Sequence, residues 1–389
     1  MVKKKVAFLS GTRAEYGLLK PLMELVLNDP EFDFELYVTG THLSHAFGHT
    51  VDCIRQDGIP VAEELEILVA GDTGSSVTKS MGLALISFGD VLTRRKPDIL
   101  VLLGDRYEAF CGAAAALVVG IPVAHIHGGE LTLGAMDEAF RHSITKMSSM
   151  HFTATETYRK RVIQLGEHPD TVYNVGAPGV ENIKNMQLLD YEELTTALGF
   201  KLPDQYALCT IHPETRGGGD TSRLVQSIFK ALNEIPELFV LFTKANADPG
   251  GQLINTMIEE YCIQHAERAA VRANLGQKLY LSVMRYASLV LGNSSSGIIE
   301  APSFGVPTVD VGERQLGRDR AASVINCPAD SHEIAEAINR TLSPNFRQNM
   351  AMVVNPYDKP GTFKLIANEL KRFVNNPPQF KNFYEVGIS

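Results

Sequence analysis

The chain has 389 residues, 44% of them hydrophobic, and a formal net charge of −9. That length predicts two domains, and the apolar fraction is enough to build a core in each. The acidic balance argues against nucleic acid as the main partner, and no apolar run approaches the roughly 18 residues of a membrane span.

From the N-terminus, Lys5–Ser10 reads as a first strand. Its apolar run is too short for a secretory leader and leads directly into a Gly-Thr-Arg turn. Phe34–Thr39, Ile99–Leu103 and Val123–His127 follow as short β-rich runs, each succeeded by a turn and a helical pattern, and Val172–Gly179 closes the series. Continuous apolar strands between helices predict a parallel sheet covered on both faces. A polar helical connector runs from Glu181 to about Lys201, with Leu202-Pro203-Asp204 as a boundary. The pattern then restarts at Tyr206–Ile211 and continues through Leu238–Phe242, Lys278–Leu281, Leu289–Leu291 and Thr308–Val311. The expected fold class is therefore α/β, with two doubly wound Rossmann-like domains facing across a cleft. The expected bounds are 1–180 and 181–359, with a terminal helix from Thr362 to Val374, inside a segment of about 360–389, packing back on the first domain.

Five scattered cysteines (Cys53, Cys111, Cys209, Cys262, Cys327) without a C-x-x-C pair predict reduced core thiols and a cytoplasmic protein. With this net charge, an anionic ligand has to be held by local cations and backbone dipoles.

In doubly wound sheets ligands collect at the carboxyl ends of strands. The first strand ends in Gly11-Thr12-Arg13, a glycine turn at a helix start that reads either as an anion site or as a plain turn with a surface arginine. The third ends in Gly104-Asp105-Arg106, where Asp105 can serve chemistry or simply cap the next helix. After the fourth come His125-Ile126-His127-Gly128-Gly129-Glu130, with two histidines on one face, a weak metal pattern lacking a third ligand. Asp137 and Arg141 follow at helical spacing, which a surface ion pair would also satisfy. His42, His45 and His49 share a helical face, more in keeping with solvated or capping roles than with zinc.

In the second half, His212-Pro213-Glu214-Thr215 and Lys244-Ala245-Asn246 follow strands. Asn293-Ser294-Ser295-Ser296-Gly297 then runs into a helix, with Glu300 beyond it. Small hydroxyl residues and amides at a helix start suit a diphosphate, and the carboxylate suits ribose hydroxyls. No G-x-G-x-x-G follows a strand and no P-loop is present, so neither NAD nor ATP is expected.

The runs GTRAEYG (11–17), GDRYE (104–108), HIHGGE (125–130), DEAFRHSITK (137–146), HPET (212–215), NSSSGIIEAPS (293–303) and GERQLGR (312–318) occur in order over nearly the whole chain. Together they resemble the UDP-N-acetylglucosamine 2-epimerases, and most closely the bacterial hydrolysing branch that makes N-acetylmannosamine for sialic acid synthesis. The resemblance implies a fold of the GT-B type and a homodimer or homotetramer. It implies that Arg13, Arg106, His212, Asn246, Ser294, Ser295, Glu300 and Arg314 contact UDP and that Asp105 and Asp137 act in catalysis. His127 stands where the animal-type and non-hydrolysing enzymes carry a catalytic Glu, so either His127 or Glu130 takes that role. Leu18 replaces a lysine of the non-hydrolysing branch, which favours hydrolysis.

The candidate set is then Asp105, His127, Glu130, Asp137 and His212 for chemistry. For the UDP-sugar it is Arg13, His42, Arg106, Arg141, His212, Asn246, Ser294, Ser295, Gly297, Glu300 and Arg314, with no metal and no cofactor. The implied chemistry is loss of UDP to a 2-acetamidoglycal followed by hydration. The alternatives are a diacetamido-sugar substrate, a non-hydrolysing epimerase, a GT-B glycosyltransferase and, least in keeping with so many acids and histidines, a binding module.

Overall fold

The computed structural model describes residues 3–71, 73–133, 135–213, 221–245, 250–273, 275–378 and 380–387. Among the described residues, thirteen strands form two parallel sheets, each built by strand–helix alternation.

The first sheet holds β1 (Lys4–Ser10), β2 (Phe32–Thr39), β3 (Glu63–Leu65), β4 (Ile99–Leu103), β5 (Val123–Ile126), β6 (Met150–Thr153) and β7 (Val172–Asn174), in the order β3-β2-β1-β4-β5-β6-β7. Successive side chains of β1 alternate between two cores, as a pleated strand requires. Val6 and Phe8 pack with Leu19, Leu22 and the terminal helix Thr362–Asn375, through Phe363, Ile366 and Leu370. Ala7 and Leu9 pack with Phe88 and Leu92 of the helix Gly74–Arg95 and with Ala113 and Ala116 of the helix Tyr107–Val119.

The second sheet holds β8 (Tyr206–Thr210), β9 (Phe239–Thr243), β10 (Ala269–Arg272), β11 (Leu289–Gly292), β12 (Thr308–Val311) and β13 (Val324–Cys327), in the order β10-β9-β8-β11-β12-β13. Its strands alternate likewise. Cys209, Phe242, Leu291 and Val309 face one core, and Leu208, Leu241 and Val290 the other.

Two compact units result: residues 1–130, 137–182 and 359–389, and residues 131–136 with 183–358. The described residues of 131–136 thus fall with the second unit, although the sequence reading assigned them to the first. There Arg318 Nε donates to Leu131 O at 2.9 Å and its Nη2 to Thr132 Oγ1 at 3.1 Å.

Two further expectations need correcting. Lys278–Leu281 is not a strand but part of the helix Gly276–Tyr286. Its K-L-Y-L alternation is local, whereas over eleven residues Leu281, Val283 and Met284 are buried with half-buried Leu279 and Tyr280 beside them. The run Val172–Gly179 is a strand only to Asn174, and Pro178 opens a helix. Four cysteines are buried thiols, but Cys53 is exposed. Among the described residues no helix is long and apolar enough to cross a membrane.

Candidate active site

In each sheet the direction of winding reverses between two central strands, β1 and β4 in the first and β8 and β11 in the second. Such switch points open a crevice at the strand ends.

At the β1 end, Thr12 caps the helix Arg13–Asn28 in a reciprocal box with Glu15. The Gly11 and Thr12 amides donate to Glu15 Oε2, at 2.7 and 3.2 Å. The turn amides expected to bind an anion are thus filled by the chain's own carboxyl. What remains for a ligand is Arg13, exposed at the helix start. Burial, and then repulsion from Glu108, pushes the Glu15 carboxyl up to about 7.

His42 is corrected outright as a substrate contact. It is wholly buried, with Nε2 at 2.9 Å from Ser10 Oγ and Nδ1 at 2.8 Å from Thr50 Oγ1. Burial pushes its imidazole down to about 4, so it is neutral with both nitrogens engaged. Its neighbours His45 and His49 stack at 4.5 Å between ring centres, and His49 bonds to Asp52.

At the β4 end the Asp105 carboxylate does not cap a helix. It accepts from Nη2 of Arg141. Arg141 is 1% exposed, and its Nη1 donates to Glu130 O at 2.9 Å and to Glu138 at 2.8 Å. The expectation that Arg141 touches substrate, or forms only a surface pair, is therefore corrected. Its guanidinium is the buried post on which Asp105, Glu130 and the helix Asp137–Met147 are hung. Arg106 lies beside Asp105 with Nε 3.3 Å from the buried Glu108 carboxylate.

At the β5 end, His125 is structural. Its nitrogens meet Gly104 O at 2.7 Å and Thr145 Oγ1 at 3.2 Å, and burial pushes it down to about 3. With His125 so occupied the paired-histidine metal pattern dissolves, and no metal-holding cluster occurs among the described residues. His127 turns out of the strand with φ +69, a left-handed conformation that costs a side-chain-bearing residue about 1–2 kcal/mol. Its Nδ1 bonds to the Glu130 carboxylate. Asp137 opens the next helix, where the amide dipoles favour an acid.

In the second unit the switch point is bridged by Asn293 and His212. The His212 amide donates to Asn293 Oδ1 at 2.7 Å, and Asn293 Nδ2 donates to His212 O at 2.9 Å. Asn293 O accepts from Arg314 at 3.2 Å and from buried Gln315 at 2.8 Å. Asn293, read from sequence as the start of a nucleotide-binding run, is thus a structural hub, and Gln315 is one that sequence reasoning left without a role. Gly292, at φ +122, has to be glycine, because a Cβ there would lie 2.1 Å from Thr210 O. Burial, and then the Arg314 charge, pushes His212 down to about 3.

The serine run opens a helix of only four residues, Ser296–Ile299, continued by a 3-10 turn. The helix-dipole part of the diphosphate argument is accordingly weak, and Ser294 and Ser295 contribute as local hydroxyls and amides. Gly297 is explained by packing, because a Cβ would meet Thr308 Cγ2 at 2.6 Å. Glu300 closes the helix as its C-cap residue. Asn246, Glu214 and Thr215 lie outside the described residues.

The model of a family described as UDP-N-acetylglucosamine 2-epimerase matches residues 25–371. The chain is 40% identical over 349 residues to a Campylobacter jejuni protein named GDP/UDP-N,N'-diacetylbacillosamine 2-epimerase (hydrolyzing), covering 90% of each. It is 36% identical over 385 residues to an Escherichia coli polysialic acid biosynthesis protein P7, covering 98% of each. Among solved structures, that of the Neisseria meningitidis UDP-GlcNAc 2-epimerase bound to UDP-GlcNAc matches with a TM-score of 0.79 at 20% identity, over 95% of this chain and 100% of that one. At that identity the likeness speaks for the fold, two Rossmann-like domains of the GT-B class.

Proposed function

The chain belongs to the UDP-N-acetylglucosamine 2-epimerase family, in its hydrolysing branch, and from that premise we propose that it converts UDP-N-acetylglucosamine and water to N-acetylmannosamine and UDP. Supporting this substrate is the match over 98% of each chain to a polysialic acid biosynthesis protein, since N-acetylmannosamine is the precursor such a route needs.

A sugar C2 proton with no adjacent carbonyl is too weak an acid for a side chain to remove directly. Departure of UDP has to run ahead of proton loss, so that positive character at C1 acidifies C2. In the proposed scheme Arg314, Ser294, Ser295 and His212 receive the diphosphate, Glu300 the ribose, and Arg13 and Arg106 add positive charge. Asp105, Asp137 and the His127–Glu130 pair transfer protons. The C2–H bond breaks as the C1–O bond to UDP breaks, giving a 2-acetamidoglycal. Water then adds its oxygen to C1, and a proton returns to C2 on the opposite face. One rigidly held group cannot serve both faces, which accounts for several acid–base groups at neighbouring strand ends.

A second substrate is favoured by a specific likeness. The 40% identical relative is named for N,N'-diacetylbacillosamine, a 2,4-diacetamido-2,4,6-trideoxy sugar. The same elimination would operate on its UDP form. Comparing kcat/KM on the two UDP-sugars, with released UDP and free sugar both measured, decides between them. Equal or higher kcat/KM on the diacetamido sugar would replace the first reading with the second. A UDP-sugar product without free UDP would overturn the hydrolytic scheme.

A further inference from the structure

His127 and Glu130 enclose two glycines in a loop with little freedom. The His127 amide donates to Phe152 O on β6 at 2.9 Å. Gly129 stands at φ +80, where a Cβ would lie 2.5 Å from Tyr158 O. Glu130 is 3% exposed, and its carbonyl is held by buried Arg141. The ring of His127 is clamped at both ends of this loop, by its own left-handed backbone and by the Glu130 carboxylate on Nδ1. Strain kept at a residue whose side chain is also fixed by a partner marks that side chain as the purpose of the arrangement.

The two groups are not equivalent. The Glu130 side chain is 4% exposed and directed at the imidazole, whereas that of His127 is 12% exposed. Among the described residues, no hydrogen bond engages the His127 Nε2. With Glu130 ionised, its carboxylate only accepts hydrogen bonds, and Nδ1 carries the proton in this pair. A neutral imidazole then has its lone pair on Nε2, the outward nitrogen.

We infer that Glu130 is a positioning residue that holds His127 as its Nδ1–H tautomer, and that His127 Nε2 is the base that removes the C2 proton. This rests on the hydrolysing-epimerase reading. The C2–H bond breaks, its proton forms the Nε2–H bond, and its electron pair becomes the C1=C2 bond. The C1–O pair departs on the UDP diphosphate. The imidazolium passes its proton to water before the next turnover, and the proton that returns to C2 comes from a different acid on the other face.

A mutant cycle separates this from a direct role for Glu130. Glu130→Gln is expected to lower kcat by roughly 10- to 100-fold with little change in KM, and His127→Ala by about 100-fold or more. The double variant should fall no further than His127→Ala, because in this assignment Glu130 serves the reaction through the imidazole. Losses that multiply in the double variant, or an active His127→Ala beside a dead Glu130→Gln, would overturn the assignment.

A second measurement needs no substrate. In 15N-histidine-labelled wild-type enzyme, with the His127 signal identified by its loss in His127→Ala, the neutral ring should show the Nδ1–H tautomer. The Nε2–H tautomer would sink the inference. If the tautomer is as expected but neither UDP-sugar releases UDP, the functional reading fails and the inferred role of His127 as C2 base fails with it, while the positioning by Glu130 stands.

Discussion

Arg141 and Asp105 form an ion pair that joins a helix to the end of β4, the guanidinium 1% exposed and the carboxylate side chain 26%. The same guanidinium holds Glu130 O and Glu138. One buried cation therefore sets the positions of three elements to which the proton-transfer groups belong.

Asp105→Asn keeps an oxygen for Arg141 but removes the carboxylate. It should lower kcat by roughly 10²- to 10⁴-fold. UDP affinity by calorimetry should stay within about twofold, or about 0.4 kcal/mol. Loss of UDP binding would move Asp105 into the nucleotide site.

Arg141→Met takes this cation from Asp105 and Glu138 and leaves a buried carbonyl without its donor. A stability loss of about 3 kcal/mol or more is expected, lowering the unfolding temperature by roughly 6–12 °C for a unit of this size. An unchanged midpoint with normal kcat would show that the post is dispensable.

Asn293→Ala removes both hydrogen bonds to the His212 backbone across the second switch point. UDP binding should weaken by about tenfold or more, in keeping with ~1–3 kcal/mol for buried groups left unpaired. At saturating substrate kcat should move less than KM. The opposite split would place Asn293 on the chemical side.

Glu15 gives a pH test. Its folded-state pKa, about 7, lies above the ordinary carboxyl value of 4.5. A carboxyl shifted upward favours folding most while protonated, and that advantage is lost as pH rises from about 4.5 through about 7. Glu15→Gln keeps an acceptor for the Gly11 and Thr12 amides but cannot ionise. The melting temperature of the variant minus that of the wild type should therefore rise between pH 5 and pH 8.5. A difference that stays flat with pH would contradict the raised carboxyl.

Much of the fold was legible because buried strands leave continuous apolar runs. Ile99–Leu103 and Thr308–Val311 were read with the bounds they have. Glu63–Leu65, Met150–Thr153, Ala269–Arg272 and Val324–Cys327 were missed, being only three or four residues long and carrying polar groups such as His151 and Asn326. Lys278–Leu281 failed for the complementary reason, since four residues cannot separate a period of 2 from one of 3.6. At the site, position at a strand end made Asp105 and His127 candidates, and the roles proposed for them came with the family resemblance. They could not reveal that Arg141 and His42 are used up inside the protein, because burial and saturation of hydrogen bonds depend on what other elements bring alongside. Nor could spacing show that Glu15 fills the turn built by Gly11 and Thr12.

The central claim, elimination of UDP followed by hydration, is tested most directly by NMR of the wild-type enzyme with UDP-N-acetylglucosamine in deuterium oxide. The account predicts free UDP together with N-acetylmannosamine fully deuterated at C2, the proton taken by one group being replaced from solvent by another. A product that retains its C2 hydrogen would contradict it.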